Sequence, residues 1–163
     1  MKRLFVVGLF AAFPFFAQAQ TAPAKPCAAA EHRQFDFWIG EWDVFGPAGK
    51  QVGQSRVELH GGGCYLLENW SSTNGVDGKS LNMYDATDKR WHQAWYDSSG
   101  SRLDISGSFV DGKMTLISAD GTQRVIWTPN ADGSVRQLWE ASKDQGKTWA
   151  PSFDGKYVKR KPH

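Results

Sequence analysis

From Phe35 onward the chain reads as short stretches in which apolar and polar residues alternate, each stretch ending at a turn. Alternation with a period of two marks a strand with one buried face, whereas an amphipathic helix repeats every three to four residues. No helical pattern of useful length interrupts the series. Asx-Gly pairs punctuate it at Asn74-Gly75, Asp77-Gly78, Asp111-Gly112, Asp120-Gly121, Asp132-Gly133 and Asp154-Gly155. Such pairs supply the positive-φ positions that tight hairpins demand. The spacing predicts strands over 41–46, 51–59, 64–73, 79–85, 90–97, 102–110, 113–118, 123–128, 135–142 and 153–160. Consecutive hairpins of this kind form an antiparallel meander. About ten strands in one all-β domain hide their edges most completely by closing into an up-and-down barrel, with a two-sheet sandwich as the other architecture the pattern allows. The hairpins keep no fixed period, which argues against a propeller or solenoid.

The chain before Phe35 has a different character. Met1-Lys2-Arg3 is a basic start, Leu4 to Phe16 an apolar run, and Ala17-Gln18-Ala19 a small-x-small site. Together they predict a signal peptide over 1–19, cleaved after Ala19, and a periplasmic or secreted product. Residues 20–34, Pro/Ala-rich and ending in a helical turn, read as a linker to a domain over 35–163. The apolar run is too short to span a bilayer and has no successor, so no membrane span is expected. Charge sharpens this reading. The 163 residues carry 19 Lys+Arg against 17 Asp+Glu, and the proposed leader of 19 residues holds two of the cations. Removing it leaves 144 residues with 17 charges of each sign. A neutral domain lacks the clustered positive field that nucleic acid requires. The four cations within Lys156–Lys161 read as a solvated last strand and tail.

Cys27 and Cys64 form an even pair in a chain expected to leave the cytoplasm, which reads as a disulfide stapling the linker to the domain. Two free thiols or a metal pair are the alternatives. No further soft ligands stand at finger-like spacing, and His32, His60, His92 and His163 show no paired ligand spacing, so neither metal nor cofactor is expected.

Phe35 to Val44 reads FDFWIGEWDV, and Gly40-Glu41-Trp42 has the Gly-x-Trp form that opens the first strand of lipocalin-like barrels. The likeness implies that Trp42 plugs the closed end, under a cation–π contact from Lys159 or Arg160. The longer strings FDFWIGEW, GGGCYLLENW, GKSLNMYD, WHQAWYD and GKTW resemble a family of exported bacterial proteins, a domain of unknown function with a lipocalin-like (calycin) barrel. The resemblance runs from about Phe35 to Arg160. It implies fold and export, and brings no activity, cofactor or catalytic residue with it.

Two motifs have structural readings. His60-Gly61-Gly62-Gly63 matches the oxyanion loop of lipases, but no Gly-x-Ser-x-Gly elbow accompanies it. A glycine-rich hairpin is the better account. Ser142 to Trp149 (SKDQGKTW) resembles the Asp-box hairpins of sialidase propellers, in which Ser142 and Asp144 would bond turn amides and Trp149 would pack beneath.

Candidate chemistry lies in the aromatics. All eight Trp and all four Tyr fall beyond residue 19. Glu68 with Trp70, Ser80 with Asn82 and Tyr84, Gln93 with Trp91 and Trp95, and Gln137 with Trp139 each share a strand face. An oily core has no need of such polar residues, whereas a small-molecule site combines an aromatic cavity with a few convergent polar groups. Glu68, Trp70, Asn82, Tyr84, Gln93, Trp95, Gln137 and Trp139 are therefore the candidate ligand-binding residues. The leading functional reading is an exported barrel that binds a small, partly apolar molecule. An enzymatic alternative would use Glu68, Tyr84 and Arg124 for acid–base chemistry of the isomerase or decarboxylase kind. A third reading is a ligand-free structural or interaction module.

Overall fold

A computed structural model describes residues 25–160; the expected leader, 1–19, lies outside the described residues. Two 3-10 turns, Ala30–Arg33 and Asp36–Trp38, precede the strands. The strands are β1 (Gly40–Phe45), β2 (Gln51–His60), β3 (Tyr65–Ser72), β4 (Asp77–Asp85) and β5 (Arg90–Asp97). They continue with β6 (Arg102–Val110), β7 (Lys113–Ile117), β8 (Gln123–Pro129), β9 (Val135–Ala141) and β10 (Ala150–Lys159). Each strand pairs antiparallel with its successor, and β10 returns to pair with β1, placing Trp42 opposite Lys159. The sheet is thus a closed barrel rather than a sandwich, and closure leaves no strand edge unpaired.

Strand bounds agree with the hydropathy pattern to within two residues except at β10, which starts at Ala150 rather than at 153. Pro151 accounts for the difference. Proline cannot donate to a ladder and reads as a strand breaker. Here the register shifts between Pro151 and Phe153, a bulge through which the strand carries the proline while still pairing with Glu140.

The two ends of the barrel differ. At one, the 3-10 turns fold beneath the strands and insert Phe35 and Trp38, both fully buried. Phe35 stacks on Trp38 at 5.0 Å between centroids and meets Trp91 and Trp127 edge-on at 5.5 and 5.1 Å. Leu66, Ile105, Met114 and Leu116 complete this packed half. The Trp42 indole donates to the Trp38 carbonyl at 2.9 Å, and Lys159 Nζ lies 5.4 Å from its ring centroid. Lys159 is therefore the covering cation. Arg160, the other candidate, turns outward to pair with Asp43 at 3.6 Å, because alternation along β10 puts the two residues on opposite faces.

The same end is fastened covalently. Cys27 and Cys64 form a disulfide across 37 positions of sequence. Gly61, Gly62 and Gly63 take φ values of 60°, 69° and 107° in the β2–β3 turn beside it, conformations that favour glycine. Arg33 donates to the Gly63 carbonyl, joining the first 3-10 turn to that hairpin. The HGGG string is thus turn chemistry. At the opposite end, Ser142 Oγ accepts from the Gly146 amide at 2.7 Å and Asp144 Oδ1 from the Thr148 amide at 2.8 Å. These bonds hold the β9–β10 hairpin. No helix among the described residues is long and apolar enough to cross a membrane.

Candidate functional site

Pleating decides what faces the lumen. On β3, Leu66, Glu68 and Trp70 turn inward; on β5, Trp91, Gln93 and Trp95; on β9, Val135, Gln137 and Trp139. Away from the aromatic cap these side chains leave a cavity of about 380 Å³. Trp70, Trp95, Trp139 and Phe153 form its upper walls, Leu103 and Val125 its apolar sides, and Glu68, Gln93, Gln137 and Tyr157 its polar surface, with exposed Ser152 also on its lining. Such a volume falls at the small end of the ~300–1,000 Å³ typical of ligand pockets.

Small residues on neighbouring strands keep this space open. Trp70 lies against Gly53, where a Cβ would stand 2.6 Å from the ring, and Trp95 lies against Gly78, where a Cβ would overlap it. The two indoles occupy the room that glycine leaves. Two indole N–H groups are engaged at the rim, Trp95 with Asp97 at 3.2 Å and Trp139 with Gln123 at 2.6 Å.

Glu68 is the charged centre of the cavity and only 3% exposed. The registers place it beside Val57 of β2 and Ser80 of β4. Ser55 and Ser80 each donate a hydroxyl to one of its oxygens at 2.9 Å. Behind Ser80 runs a directed chain: Gln93 Nε2 donates to Asn82 Oδ1 at 2.7 Å, and Asn82 Nδ2 donates to Ser80 Oγ at 2.9 Å. The Ser80 proton is thereby aimed at Glu68. Burial pushes the carboxyl pKa from its ordinary 4.5 up to about 7, against the opposing pull of the two serine hydroxyls. Across the lumen, the Tyr157 hydroxyl donates to Gln137 Oε1 at 2.5 Å. Its own pKa is raised well above the usual phenol value, first by burial and then by the charge of Glu68.

Six of the eight candidate ligand residues therefore line one space: Glu68, Trp70, Gln93, Trp95, Gln137 and Trp139. Asn82 lies on the inner face of β4, next to the cavity and not on its lining, as the link between Gln93 and Ser80. Tyr84 belongs to the capped end, against His32 at 5.2 Å and Trp91 at 6.2 Å. Arg124 corrects the proposed acid–base trio. It projects from the outer face of β8, pairs with Glu140 at 2.6 Å and covers Trp149 at 4.2 Å, because Val125 and Trp127 take the inner face. It can reach neither Glu68 nor the lumen. Trp149 accordingly packs outside the barrel, where Arg124 joins the Asp-box hairpin to β8.

Tyr157, Phe153, Leu103, Val125 and Ser152 line the cavity without having been singled out in the sequence. The alternation of Phe153, Gly155 and Tyr157 carried a signal, but the neighbouring cations made this stretch read as surface. Elsewhere, ligand-type atoms of Asp85, Asp88 and His92 lie within 4.8 Å of one another on the β4–β5 hairpin. These groups already serve the turn: Asp85 accepts from the Thr87 amide, Asp88 from that of Arg90, and His92 Nε2 meets Asp88 at 2.8 Å.

Fold and site together define a class, a closed ten-stranded antiparallel barrel with one capped end and an aromatic cavity around a buried carboxyl. Among known proteins, no family model matches the chain and no curated protein is significantly similar to it.

Proposed function

We propose that this protein is an exported, lipocalin-like barrel that binds a small, partly apolar molecule in its aromatic cavity. The supporting observation is the division of the interior. One half is packed solid by Phe35, Trp38, Trp91 and Trp127, while the other keeps about 380 Å³ between indoles held against glycines. A ligand-free module would bring those indoles together to fill the lumen, since close packing is the default state of a protein interior. The Cys27–Cys64 disulfide fits an oxidising compartment and so supports export. Aromatic walls supply apolar contact, and Glu68, Gln93 and Gln137 supply the few polar contacts that orient a bound molecule.

The test is a tryptophan-fluorescence screen of small aromatic and cyclic compounds, with mass spectrometry of whatever co-purifies with the exported protein. Saturable quenching that is lost when the cavity is filled by Gly78→Val supports the reading. Failure of any compound to bind at millimolar concentration would sink it.

A second reading, proton transfer within the cavity, draws on the Glu68 pKa of about 7, close to the optimum for a general acid or base at neutral pH. It predicts deuterium uptake from solvent into a bound carbonyl compound that Glu68→Gln abolishes. Absence of exchange in the native protein would refute it.

A further inference from the structure

The cavity's uncommitted polar groups differ in charge: the donors left free are neutral, whereas the main acceptor is a carboxyl group. The hydroxyls of Ser55 and Ser80 are committed to Glu68, that of Tyr157 to Gln137, and the Gln93 amide to Asn82. Among the described residues, only neutral donors remain on the lining, at Trp70, Gln137 and Ser152. Acceptor capacity remains on both Glu68 oxygens, since a carboxylate has about four lone-pair sites and the serines occupy one on each oxygen. The Gln93 carbonyl oxygen adds another.

The charge is equally one-sided. None of the ion pairs among the described residues includes Glu68. The one other titratable group on the cavity lining is Tyr157, from β10; Ser55 and Val57 of β2, Ser80 of β4 and Gln93 of β5 are neutral. Lys159 is directed onto Trp42, and Arg124 onto Glu140 outside the barrel. A buried carboxylate is costly unless it is paired with a positive charge. The same cavity is lined by the indoles of Trp70, Trp95 and Trp139, a ring type that attracts cations and apolar groups alike.

Resting on the binding function above, we propose that the occupant of this cavity is an organic cation: a primary or secondary amine carrying a compact apolar or aromatic group, with its ammonium on Glu68. The ammonium donates N–H to the free carboxylate lone pairs and the Gln93 carbonyl, and the apolar part lies between the indoles. The volume limits the amine to a single small ring or a short branched chain, with no room for a long acyl tail.

Three probes that share a phenylethyl group and differ in charge test this: 2-phenylethylamine, 2-phenylethanol and 3-phenylpropionate, titrated by tryptophan fluorescence and calorimetry. At about pH 8.5, where Glu68 is ionised, the amine should bind at least ~10-fold more tightly than the alcohol, and the acid most weakly. At about pH 5.5, where Glu68 is protonated, that advantage should shrink to within ~3-fold. Glu68→Gln should remove it at both pH values. The native protein's pH response tests the same point should that variant fold poorly. Alcohol or acid binding as tightly as the amine at high pH overturns this inference and leaves the binding function standing. So does an amine preference that ignores pH or survives in the variant. Failure of all three probes overturns both.

Discussion

Glu68→Gln should make the folded protein more stable at high pH and leave it almost unchanged at low pH. A carboxyl group whose pKa rises on folding from 4.5 to about 7 binds its proton more tightly in the folded chain. Below about pH 4.5 it is protonated folded and unfolded alike and adds no pH dependence. Between these values the unfolded chain has released the proton while the folded chain still holds it, so stability falls as pH rises. Above about pH 7 the loss is complete and amounts to about 3 kcal/mol. Glutamine keeps the size and one acceptor for Ser80, while its amide can donate to Ser55, so the network closes without a charge. The variant-minus-native difference should therefore be near zero at pH ~4.5 and approach ~3 kcal/mol in the variant's favour at pH ~8.5. That would be a large fraction of the ~5–15 kcal/mol typical of a domain. Urea unfolding followed by tryptophan emission at several pH values, with the disulfide intact, measures it. Groups common to both proteins cancel in the difference. A variant no more stable at high pH than at low pH, relative to the native protein, would refute the assignment of an unpaired buried carboxyl.

Gly78→Val should push the Trp95 ring off the wall into the lumen, reducing 2-phenylethanol affinity at least ~10-fold at a stability cost of about 1–3 kcal/mol; fluorescence titration and urea melts read the two effects separately. Replacing Cys27 and Cys64 together by Ser opens a loop closed over 37 positions and should cost about 4 kcal/mol on the chain-entropy model, again by urea unfolding, without altering cavity affinity. Asp144→Ala removes acceptors for the Thr148 amide and hydroxyl, so hydrogen exchange of amides 142–149 should quicken while protection of the barrel strands stays the same. Arg124→Ala exposes Trp149 and frees Glu140, yet should leave probe affinity within ~2-fold, since the side chain lies outside the barrel; a larger change would put Arg124 back at the site.

The strands and most turns were legible in the sequence because alternation and Asx-Gly punctuation are local properties, although Asp77-Gly78 and Asp154-Gly155 fall inside β4 and β10. So was the grouping of residues on shared faces: Glu68 with Trp70, and Gln93 with Trp95, keep the company that pleating gives them. Which face points inward was not legible locally. On β5 both faces carry large side chains, with Tyr96 and His92 opposite Trp95 and Trp91. Closure decides the matter by choosing the face that can fill a lumen. The place of Arg124 turned on the same point, because one residue of alternation separates the core from solvent. The partners of Glu68 were hidden more deeply. Ser55 and Ser80 lie 13 and 12 positions away and meet it through registers fixed by the turns at both ends of the barrel. Nothing in a local window distinguishes these serines from surface ones.

The division of the barrel into a fastened end and an open one has a consequence for how such a scaffold can diversify. The disulfide, the aromatic cap and the Trp42–Lys159 contact all gather at one end. The rim of the other consists of five connections, 46–50, 73–76, 98–101, 118–122 and 142–149. They hold their shape largely through bonds within each turn, as Asp120 does for Thr122 and Asp144 for Thr148. Their tip residues can be substituted without touching what fastens the frame, provided that each connection keeps its length and the Ser142 amide keeps its bond to the Thr122 carbonyl. A library of substitutions at these five tips, with loop lengths kept, would recast the entrance while the walls and the carboxyl below stayed in register.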